Sequence, residues 1–361
     1  MKICLFGSSL VSSYWNGAAT YYRGMLKAIA AFGHDITFFE PDAFQRQQHR
    51  DIEDPPWAKV VVYPPTPDGW QEALTTAASR ADLLIKASGV GIFDAELEKA
   101  VIEVPCQAVR IYWDVDAPAT LDAMSCDPKH HLRQAIPRYD LVLTYGGGDA
   151  VVGAYRAAGA RDCVPIYNAL DTETHHPAPP NPTYAGDLGL LANRLPDREQ
   201  RIDDFFLNVA RGMPSRRFVL GGSGWDTKEV PHNVRKVGHV GTGDHNAFFG
   251  SSLATLNVNR ASMARYGFSP PTRIFEAIGA GACLITDDWA GIETFLEPDH
   301  EVLVASSGTE VAQHLNALTA EMAYAFATRA KDRILANHTY RHRAHQFNQL
   351  FLEGSKIEAA E

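Results

Sequence analysis

The sequence contains few cysteines and no run of 18 apolar residues. The missing apolar run excludes a helix that spans a membrane, and the apolar start, MKICLFGSS, is too short for a signal peptide and is predicted as a first strand. The cysteines are odd in number and widely separated: Cys4, Cys106, Cys126, Cys163 and Cys283. They form no CxxC pair, so neither a zinc site nor a disulfide framework is indicated, and we expect a reducing, cytoplasmic location.

A basic excess is also missing. The 361 residues carry a formal net charge of -10, which argues against general affinity for nucleic acid or an anionic membrane, because both need clustered lysine and arginine. One basic stretch, residues 329–345, is interpreted as a solvated helix face. The length exceeds the size at which one hydrophobic core usually stops growing, so we predict two domains.

Two common site motifs are missing as well. Gly7 follows the first apolar run, but Ser8, Ser9 and Leu10 come next, so the GxGxxG fingerprint of dinucleotide-binding folds is not formed. Without those glycines Glu40 is interpreted as a solvated strand end, and an NAD enzyme is disfavoured. No HExxH pattern occurs, and most histidines are interpreted as surface groups.

Apolar runs of strand length alternate with helix-length segments through most of the chain. This alternation predicts an α/β fold with mostly parallel, doubly wound sheets. A segment with four prolines, HHPAPPNPTYAG, separates two such sets, and its composition suits neither a helix nor a central strand. We therefore predict domains at residues 1–174 and 187–330, a linker at 175–186 and a C-terminal helical segment at 331–361.

The segment from residue 269 to 288, SPPTRIFEAIGAGACLITDD, combines a polar helix start, an apolar stripe and a buried strand. Ser269 or Thr272 is predicted as the N-cap. Arg273 and Glu276 then lie near a helix N-terminus beside a sheet, where anionic ligands are commonly held. The segment indicates a nucleotide site.

Glycines and arginines follow other strands of the second set. Gly222 lies in FVLGGSGW, and Val240 and Gly241 end the next strand, where a backbone-lined slot would suit a planar base. Tight turns alone would also need glycines. Arg194 and Arg198 come directly after the first strand, where a guanidinium can hold a diphosphate, and Arg194 is the preferred candidate.

Two features of the first set are candidates for ligand contacts. In IYWDVDAP, Asp114 and Asp116 come at the end of a strand, where ligands of open α/β sheets bind. A functional role for at least one of them and a turn with Asp116 capping the next helix are equal alternatives. Asp-x-Asp is also a metal-binding spacing, but metal ligation is favoured less than either. Asn16 and Gly17 either bring backbone amides close to a phosphate or sugar, or form a helix entry with Asn16 as N-cap.

Several segments together resemble the GT-B glycosyltransferases, and more narrowly the CgeB-like spore-maturation branch near the family 1 and family 4 type. The matching segments are TRIFEAIGAGACLITDD, YDLVLTYGGGDAVVGAYRAAGA, IYNALDTETHHP, LNVNR and TYRHRAHQ. The resemblance covers most of the chain and is strongest from residue 139 onward. It implies two doubly wound Rossmann-like domains facing a central cleft, with a C-terminal helix packing back toward the first domain.

The resemblance also implies roles for individual residues. Glu276 would bind the ribose hydroxyls of a nucleotide, and Arg194, helped by Arg273, would meet the diphosphate. The base would lie against the loop from His239 to Gly241. Family 4 enzymes carry a second glutamate eight residues before the ribose glutamate, where this chain has Phe268, so the stereochemical outcome is not carried over.

The predicted function is therefore transfer of a sugar from a nucleoside diphosphate donor, UDP-type first, to a small-molecule, glycan or protein acceptor. The resemblance implies that the acceptor lies near Asn16, Gly17 and the Asp114 loop, and that no bound metal is needed. If the reaction inverts, Asp114 or Asp116 is the candidate base. A sugar-nucleotide epimerase or hydrolase, or a non-catalytic nucleotide-sugar-binding protein, are the alternatives.

Overall fold

A computed structural model describes residues 1–357, with side chains as far as residue 351. The chain forms two compact units: unit 1 contains residues 1–167 together with the C-terminal helix, and unit 2 contains residues 168–339. Residues 358–361 of the predicted helical segment 331–361 lie outside the described residues. Each unit is built on its own parallel sheet, as the alternating pattern predicts.

Unit 1 contains a seven-stranded sheet in which neighbouring strands pair in parallel. The strands are β1 (Lys2–Phe6), β2 (Asp35–Pro41), β3 (Ala58–Tyr63), β4 (Leu83–Ala87), β5 (Val109–Asp114), β6 (Leu141–Thr144) and β7 (Cys163–Pro165). Their order is β3-β2-β1-β4-β5-β6-β7, so the direction of winding reverses between β1 and β4. Central strands such as β1 and β4 are buried without alternation because helices cover both faces of the sheet.

Helices connect these strands. They are α1 (Ala19–Ala30), α2 (Pro67–Ala78), α3 (Asp94–Glu103), α4 (Ala117–Cys126), α5 (Leu132–Ala135) and α6 (Gly148–Ala157). The reversal between β1 and β4 opens a crevice at the carboxyl ends of these strands, which is where doubly wound folds bind ligands.

Unit 2 contains a six-stranded parallel sheet of the same build. Its strands are β8 (Gly186–Leu191), β9 (Phe218–Gly221), β10 (Val234–Gly238), β11 (Ser252–Asn257), β12 (Leu284–Asp287) and β13 (Leu303–Ala305). The order β10-β9-β8-β11-β12-β13 places the reversal of winding between β8 and β11. This point is the expected ligand crevice of unit 2.

The helices of unit 2 cover both faces of that sheet. They are α7 (Pro196–Ile202), α8 (Asn208–Gly212), α9 (Thr242–Gly250), α10 (Ala261–Tyr266), α11 (Thr272–Gly279), α12 (Gly308–Ala317) and α13 (Ala320–Asn337). A π-helical turn, Asp203–Leu207, joins α7 to α8. The core between them is aliphatic and aromatic, with residues such as Leu188, Phe206, Leu256 and Ile285 buried.

The chain returns to unit 1 through its last helix, α14 (Tyr340–Ile357). This helix packs on α1 so closely that a Cβ atom at Gly24 would lie 2.2 Å from the Tyr340 ring. The ring of Phe347 stacks on that of Trp113, with centroids 5.7 Å apart. The C-terminal helix therefore belongs to the core of the first unit, which agrees with the predicted fold.

The proline-rich segment 175–186, predicted as the linker, lies within unit 2. Its backbone is tied to that unit: the amide of His176 donates to the Asn246 side chain (3.3 Å) and that of Asn181 to Ser251 Oγ (2.8 Å). These bonds fix the segment along the surface of unit 2. The chain passes from unit 1 to unit 2 between residues 167 and 168, and back between 339 and 340.

Candidate functional site

The centre of the candidate site in unit 2 is the N-terminal half of α11. The helix starts at Thr272 with Pro271 as N-cap, and neither Ser269 nor Thr272 caps it, which corrects the prediction. Ser269 Oγ instead donates to the carbonyl of Gly267 (2.9 Å). A proline side chain has no acceptor and so caps none of the first amides. The amide of Ile274 donates to the Pro271 carbonyl (3.2 Å), and the N-terminus of the helix suits an anionic ligand.

Glu276 lies on α11 and is only 3% exposed. One of its carboxylate oxygens, Oε2, is 3.3 Å from Arg273 Nη1 and 3.8 Å from His245 Nδ1. Burial by itself would raise the pKa of this carboxyl, but Arg273, His175 and His245, with the Thr272 hydroxyl, together lower the pKa. Glu276 is therefore held as a carboxylate, ready to accept hydrogen bonds.

Two buried histidines complete this cluster. The rings of His175 and His245 stack with centroids 5.8 Å apart, and Nε2 of His175 and Nδ1 of His245 have no hydrogen-bond partner among the described residues. With Glu276 they offer three ligand atoms within 4.8 Å of one another. A small set of this composition is able to hold a divalent transition metal. That no metal is needed stays a prediction.

The sequence contains no spacing that would reveal the two histidines, since they lie on a loop and on α9, far apart along the chain. Another group of possible ligands, Glu297, His300 and Glu301, is within reach of sequence reasoning because its members share one turn. That second group lies largely at the surface, and exposed acidic groups commonly occur without a metal.

Burial of His245 leads to a pH-dependent stability. Burial, then Arg273 and His175, lower the pKa of His245 to about 4, although Glu276 opposes the shift. Between pH 6.5 and 4 the unfolded chain therefore binds a proton that the folded chain does not, so stability falls as the pH falls. From pH 7 to pH 5 we expect His245 to account for about 2 kcal/mol of lost unfolding free energy.

Urea unfolding of the wild type and of His245→Gln at both pH values measures this difference. The exposed His232 provides the matched control, because His232→Gln should keep the wild-type pH dependence. Equal losses of stability in the wild type and in His245→Gln would contradict the prediction.

Three arginines lie together at the reversal point of the unit 2 sheet. Arg198 is in the first turn of α7, directly after β8, Arg260 follows β11, and Arg273 is in the first turn of α11. Burial, and then the charges of Arg273 and Arg260, lower the pKa of Arg198 to about 10. Its Nε is buried without a hydrogen-bond partner in the part of the chain that the structure describes. Arg260 is paired with Asp197 (2.6 Å) and Arg273 with Glu276. The unpartnered nitrogen of Arg198 within this cluster of positive charge is therefore what indicates an anion site.

Arg194, the preferred diphosphate candidate, has other partners. Its guanidinium donates to both carboxylate oxygens of Glu199 (2.8 and 2.9 Å) and to Thr227 Oγ1 (3.3 Å). Glu199 also accepts from Lys228 Nζ (2.9 Å), and these donors lower the pKa of Glu199 to about 2. A bidentate ion pair of this kind occupies Arg194, whereas Arg198 keeps an unpaired nitrogen.

Backbone geometry explains the glycine in the loop after β9. Gly222 has φ +118°, and a Cβ atom there would lie 2.1 Å from the carbonyl oxygen of Ala192. Its amide donates to the Gly238 carbonyl (2.7 Å). The backbone at Gly222 lies so close to that at Ala192 that only glycine fits at this position, whether or not a ligand is bound.

The loop after β10 lies close to the Glu276 cluster. His239 and Gly241 are exposed, and Val240 is buried. A hydrogen bond joins the backbone of Val240 to His245, the histidine that faces Glu276. The structure thus brings together the predicted base-binding loop and the predicted ribose carboxylate.

Phe268 lies in the left-handed region, with φ +45°. Its amide donates to the Ala290 carbonyl (2.6 Å), and its ring covers Gly291, where a Cβ atom would come within 2.3 Å of the ring. The pairing of an aromatic ring with a glycine explains how phenylalanine fits here. The chain therefore has an aromatic ring at the position where family 4 enzymes have their second glutamate.

In unit 1 the two aspartates after β5 differ sharply. Asp114 is fully buried and accepts from Ser88 Oγ (2.7 Å), from the amide of Asp116 (2.9 Å) and from the Tyr155 hydroxyl. Burial raises the pKa of the Asp114 carboxyl, and these hydrogen bonds oppose the shift only in part. Asp114 therefore fixes the loop. Asp116 is half-buried at the start of α4 and makes no side-chain cap there.

The loop after β1 is ordered from within. Asn16 Oδ1 accepts from Ser8 Oγ (2.9 Å), and its Nδ2 donates to the carbonyls of Ser9 (2.8 Å) and Ser12 (2.9 Å). Asn16 is thus a buried loop former, and Ala18, not Asn16, is the N-cap of α1. Space is open around Gly17.

Glu40 also differs from its prediction as a solvated strand end. It is fully buried and accepts from Ser9 Oγ (3.0 Å), the Leu10 amide (2.6 Å) and Gln47 Nε2 (2.6 Å). The Glu40 carboxylate therefore holds the loop after β1 in place through its hydrogen bonds to Ser9 and Leu10. The sequence hides this role because the partners come from two other loops.

Comparison with known proteins supports the fold and part of the function. Residues 198–349 match the model of a family described as "Glycosyl transferase-like". No curated protein matches the chain by sequence. None of the described helices has the length and apolarity that crossing a membrane demands.

Solved structures match the whole chain. Sucrose-phosphate synthase from Thermosynechococcus elongatus is 13% identical, with a TM-score of 0.72 and full coverage of both chains. HepE from Anabaena, solved with UDP and glucose, is 14% identical, with a TM-score of 0.70 over 98% of this chain and 100% of that one. An E. coli structure described as trehalose-6-phosphate bound with UDP-2-fluoro glucose is 10% identical, with a TM-score of 0.67 over 97% and 98%. At such identities the likeness shows the fold, which is GT-B.

Proposed function

We propose that this chain is a glycosyltransferase that takes its sugar from a nucleoside diphosphate donor of the UDP type. The observation that carries the proposal is the group of Arg198, Arg260 and Arg273 at the reversal point of the unit 2 sheet, beside the buried carboxylate of Glu276. The solved structures of HepE with UDP and with UDP-glucose support the choice of base. Membership of the CgeB-like branch and a cytoplasmic location stay predictions.

The donor would be bound by charge and by backbone groups. Glu276 accepts hydrogen bonds from the ribose hydroxyls, and the loop from His239 to Gly241 lies against the base. Arg198 and Arg273, with the N-terminus of α11, hold the diphosphate and stabilise the negative charge that develops on it as the sugar leaves. These cations supply the charge that a metal provides elsewhere, so we propose that transfer needs no bound metal.

Unit 1 would supply the acceptor contacts. Of the two aspartates after β5, we propose Asp116 as the base for an inverting transfer, since the oxygens of Asp114 are already used within the loop. Asn16 shapes the acceptor loop rather than touching a ligand, and Gly17 leaves room beside it.

Asp116→Asn should lower the transfer rate by roughly 100-fold or more while leaving donor affinity unchanged, because the loss of a general base affects only the chemical step. Asp114→Asn should mainly lower thermal stability, since it disturbs three buried hydrogen bonds. Steady-state kinetics, donor calorimetry and melting curves separate the two effects. A normal rate in Asp116→Asn would remove it as the base.

The proposal is tested by calorimetry of the full chain with UDP, uridine and UDP-sugars, and by mass spectrometry of reactions with sugar acceptors, with and without excess EDTA. UDP should bind more tightly than uridine, and a glycosylated acceptor should form in EDTA.

Phe268, which replaces a glutamate of family 4, favours a second candidate, a non-catalytic nucleotide-sugar-binding protein. Tight UDP binding with no product from a broad acceptor panel would support that candidate, and absence of UDP binding would overturn both.

A further inference from the structure

A buried arginine spans the reversal point of the unit 1 sheet. Arg46 is 7% exposed, and its Nη1 donates to the carbonyls of Ser8 (3.1 Å) and Val90 (3.2 Å). Ser8 lies in the loop after β1 and Val90 in the loop after β4, the two strands between which the winding reverses. Arg46 therefore joins the two loops that border the expected ligand crevice of unit 1.

The charge of Arg46 is not neutralised by contact. Within residues 1–351 no carboxylate forms an ion pair with it, and its Nε is buried without a partner. Burial lowers the pKa of this guanidinium, although Glu40, Tyr22 and Asp94 act in the opposite direction. Asp94 is itself paired with Lys86 (2.7 Å). Glu40 is engaged by three donors of its own. A desolvated guanidinium of this kind gains most from an added anion.

Helix α1 adds positive potential to the same place. Its first turn contains no acidic residue, and its N-cap, Ala18, offers no side-chain acceptor. Tyr22, in that turn, is close enough to Arg46 to affect the pKa of the guanidinium. Asn16, which precedes this 12-residue helix, accepts from Ser8 Oγ (2.9 Å), and the Ser8 carbonyl accepts from Arg46 (3.1 Å), so the helix N-terminus and the arginine border the same loop.

Two exposed aromatic rings lie in neighbouring loops of unit 1, which are joined where the Tyr14 ring stacks on that of His49 (centroids 4.1 Å apart). Trp15 is 60% exposed and Phe44 is 52% exposed, and the two lie in the loops after β1 and β2. Both have positive φ, +48° and +57°, a conformation that non-glycine residues adopt only under constraint. The ring of Phe44 lies 5.0 Å from the Arg46 guanidinium carbon. Flat exposed rings suit the C–H face of a pyranose.

We propose that the unit 1 crevice binds an anionic saccharide, with its phosphate or carboxylate on Arg46 and its ring against Trp15 and Phe44. This inference rests on the proposed function, since such a saccharide would be the acceptor. It names the class of acceptor: a sugar that carries a negative group, rather than a neutral sugar or a protein.

The test is ligand-observed NMR titration of the full chain with glucose 6-phosphate, glucuronic acid and glucose, in parallel with UDP calorimetry. At least one anionic sugar should bind about tenfold more tightly than glucose, and the stronger of the two identifies the group as phosphate or carboxylate. Arg46→Gln should abolish this preference and leave UDP affinity unchanged. Arg50→Gln removes a charge from the same loop, at a partly exposed position paired with Asp54, and should keep the preference.

Two further variants keep the test independent of folding. Trp15→Gly suits the positive φ at this exposed position and should lower the affinity for all three sugars alike. An unchanged affinity would show that the Trp15 ring does not contact the sugar. Arg46→Lys keeps the charge and should retain a reduced preference if Arg46→Gln does not fold. Equal affinities for the three sugars, or an Arg46→Gln variant that still prefers an anion, would overturn the inference. Failure of UDP to bind would instead refute the proposed function.

Discussion

Arg198→Gln should weaken the binding of UDP by about 100-fold, equivalent to roughly 2.7 kcal/mol, and leave the binding of uridine unchanged. The reason is that Arg198 is the guanidinium of the cluster whose Nε is buried without a partner, so a diphosphate would provide the contact that the protein does not. Isothermal titration with UDP, UMP and uridine measures the effect, which should grow with the number of phosphates.

The same variant should melt at a higher temperature than the wild type when no ligand is present. Burial and the neighbouring charges of Arg273 and Arg260 lower the pKa of Arg198, which means that the charged form is unfavourable in the ligand-free fold. A substitution that raises stability while lowering affinity is characteristic of a binding residue rather than a structural one.

Arg194→Gln is the matched control for this experiment. It removes the same charge four residues earlier, in the loop that leads into α7, but from a guanidinium that Glu199 already binds through two hydrogen bonds. We expect a loss of stability and a smaller loss of UDP affinity. If Arg194→Gln lowered the affinity for UDP more than Arg198→Gln does, the contact with the diphosphate would be assigned to Arg194, as the resemblance implies.

Glu276→Ala should lower the affinity for UDP by about 10- to 100-fold and remove the preference for ribose over deoxyribose. In the wild type, UDP should bind more tightly than 2′-deoxy-UDP, because the buried carboxylate accepts from ribose hydroxyls and a charged acceptor makes the stronger bonds. In the variant the two affinities should become equal. Competition titrations with both nucleotides give the ratio directly.

The deoxynucleotide serves as an internal control for folding, since a general disturbance of α11 would weaken both ligands and preserve their ratio. Glu276→Gln keeps the shape of the side chain and should show an intermediate ratio. A wild-type ratio in Glu276→Ala would exclude ribose contact by this residue. Circular dichroism checks the fold, since the variant leaves Arg273 and His245 without their shared carboxylate.

Much of the fold follows from hydrophobic pattern alone. Continuous apolar runs such as that of β1 are buried on both faces only in a parallel sheet covered by helices, so alternation with helix-length segments predicts the doubly wound units. The boundary near residues 175–186 was harder to place, because prolines disfavour helix and strand but do not reveal that the backbone of this segment is tied to unit 2.

The sites were less predictable because long-range pairing determines the role of each polar residue. Arg194 and Arg198 both follow β8, and the difference between them depends on Glu199 and Lys228. Asp114 is engaged by Ser88 and Tyr155, which are distant along the chain. Composition and local spacing identify which residues are able to bind a ligand, whereas only the three-dimensional contacts show which are already occupied.

The position of α14 has a consequence for the order of folding. Unit 2 is one continuous segment, but unit 1 needs Tyr340 against Gly24 and Phe347 against Trp113 to complete its core. During synthesis the strands of unit 1 leave the ribosome first, yet their last helix is made only after the whole of unit 2. The contacts that close unit 1 span most of the chain, and such distant contacts form slowly. The unit that is synthesised first is therefore the unit whose core is completed last.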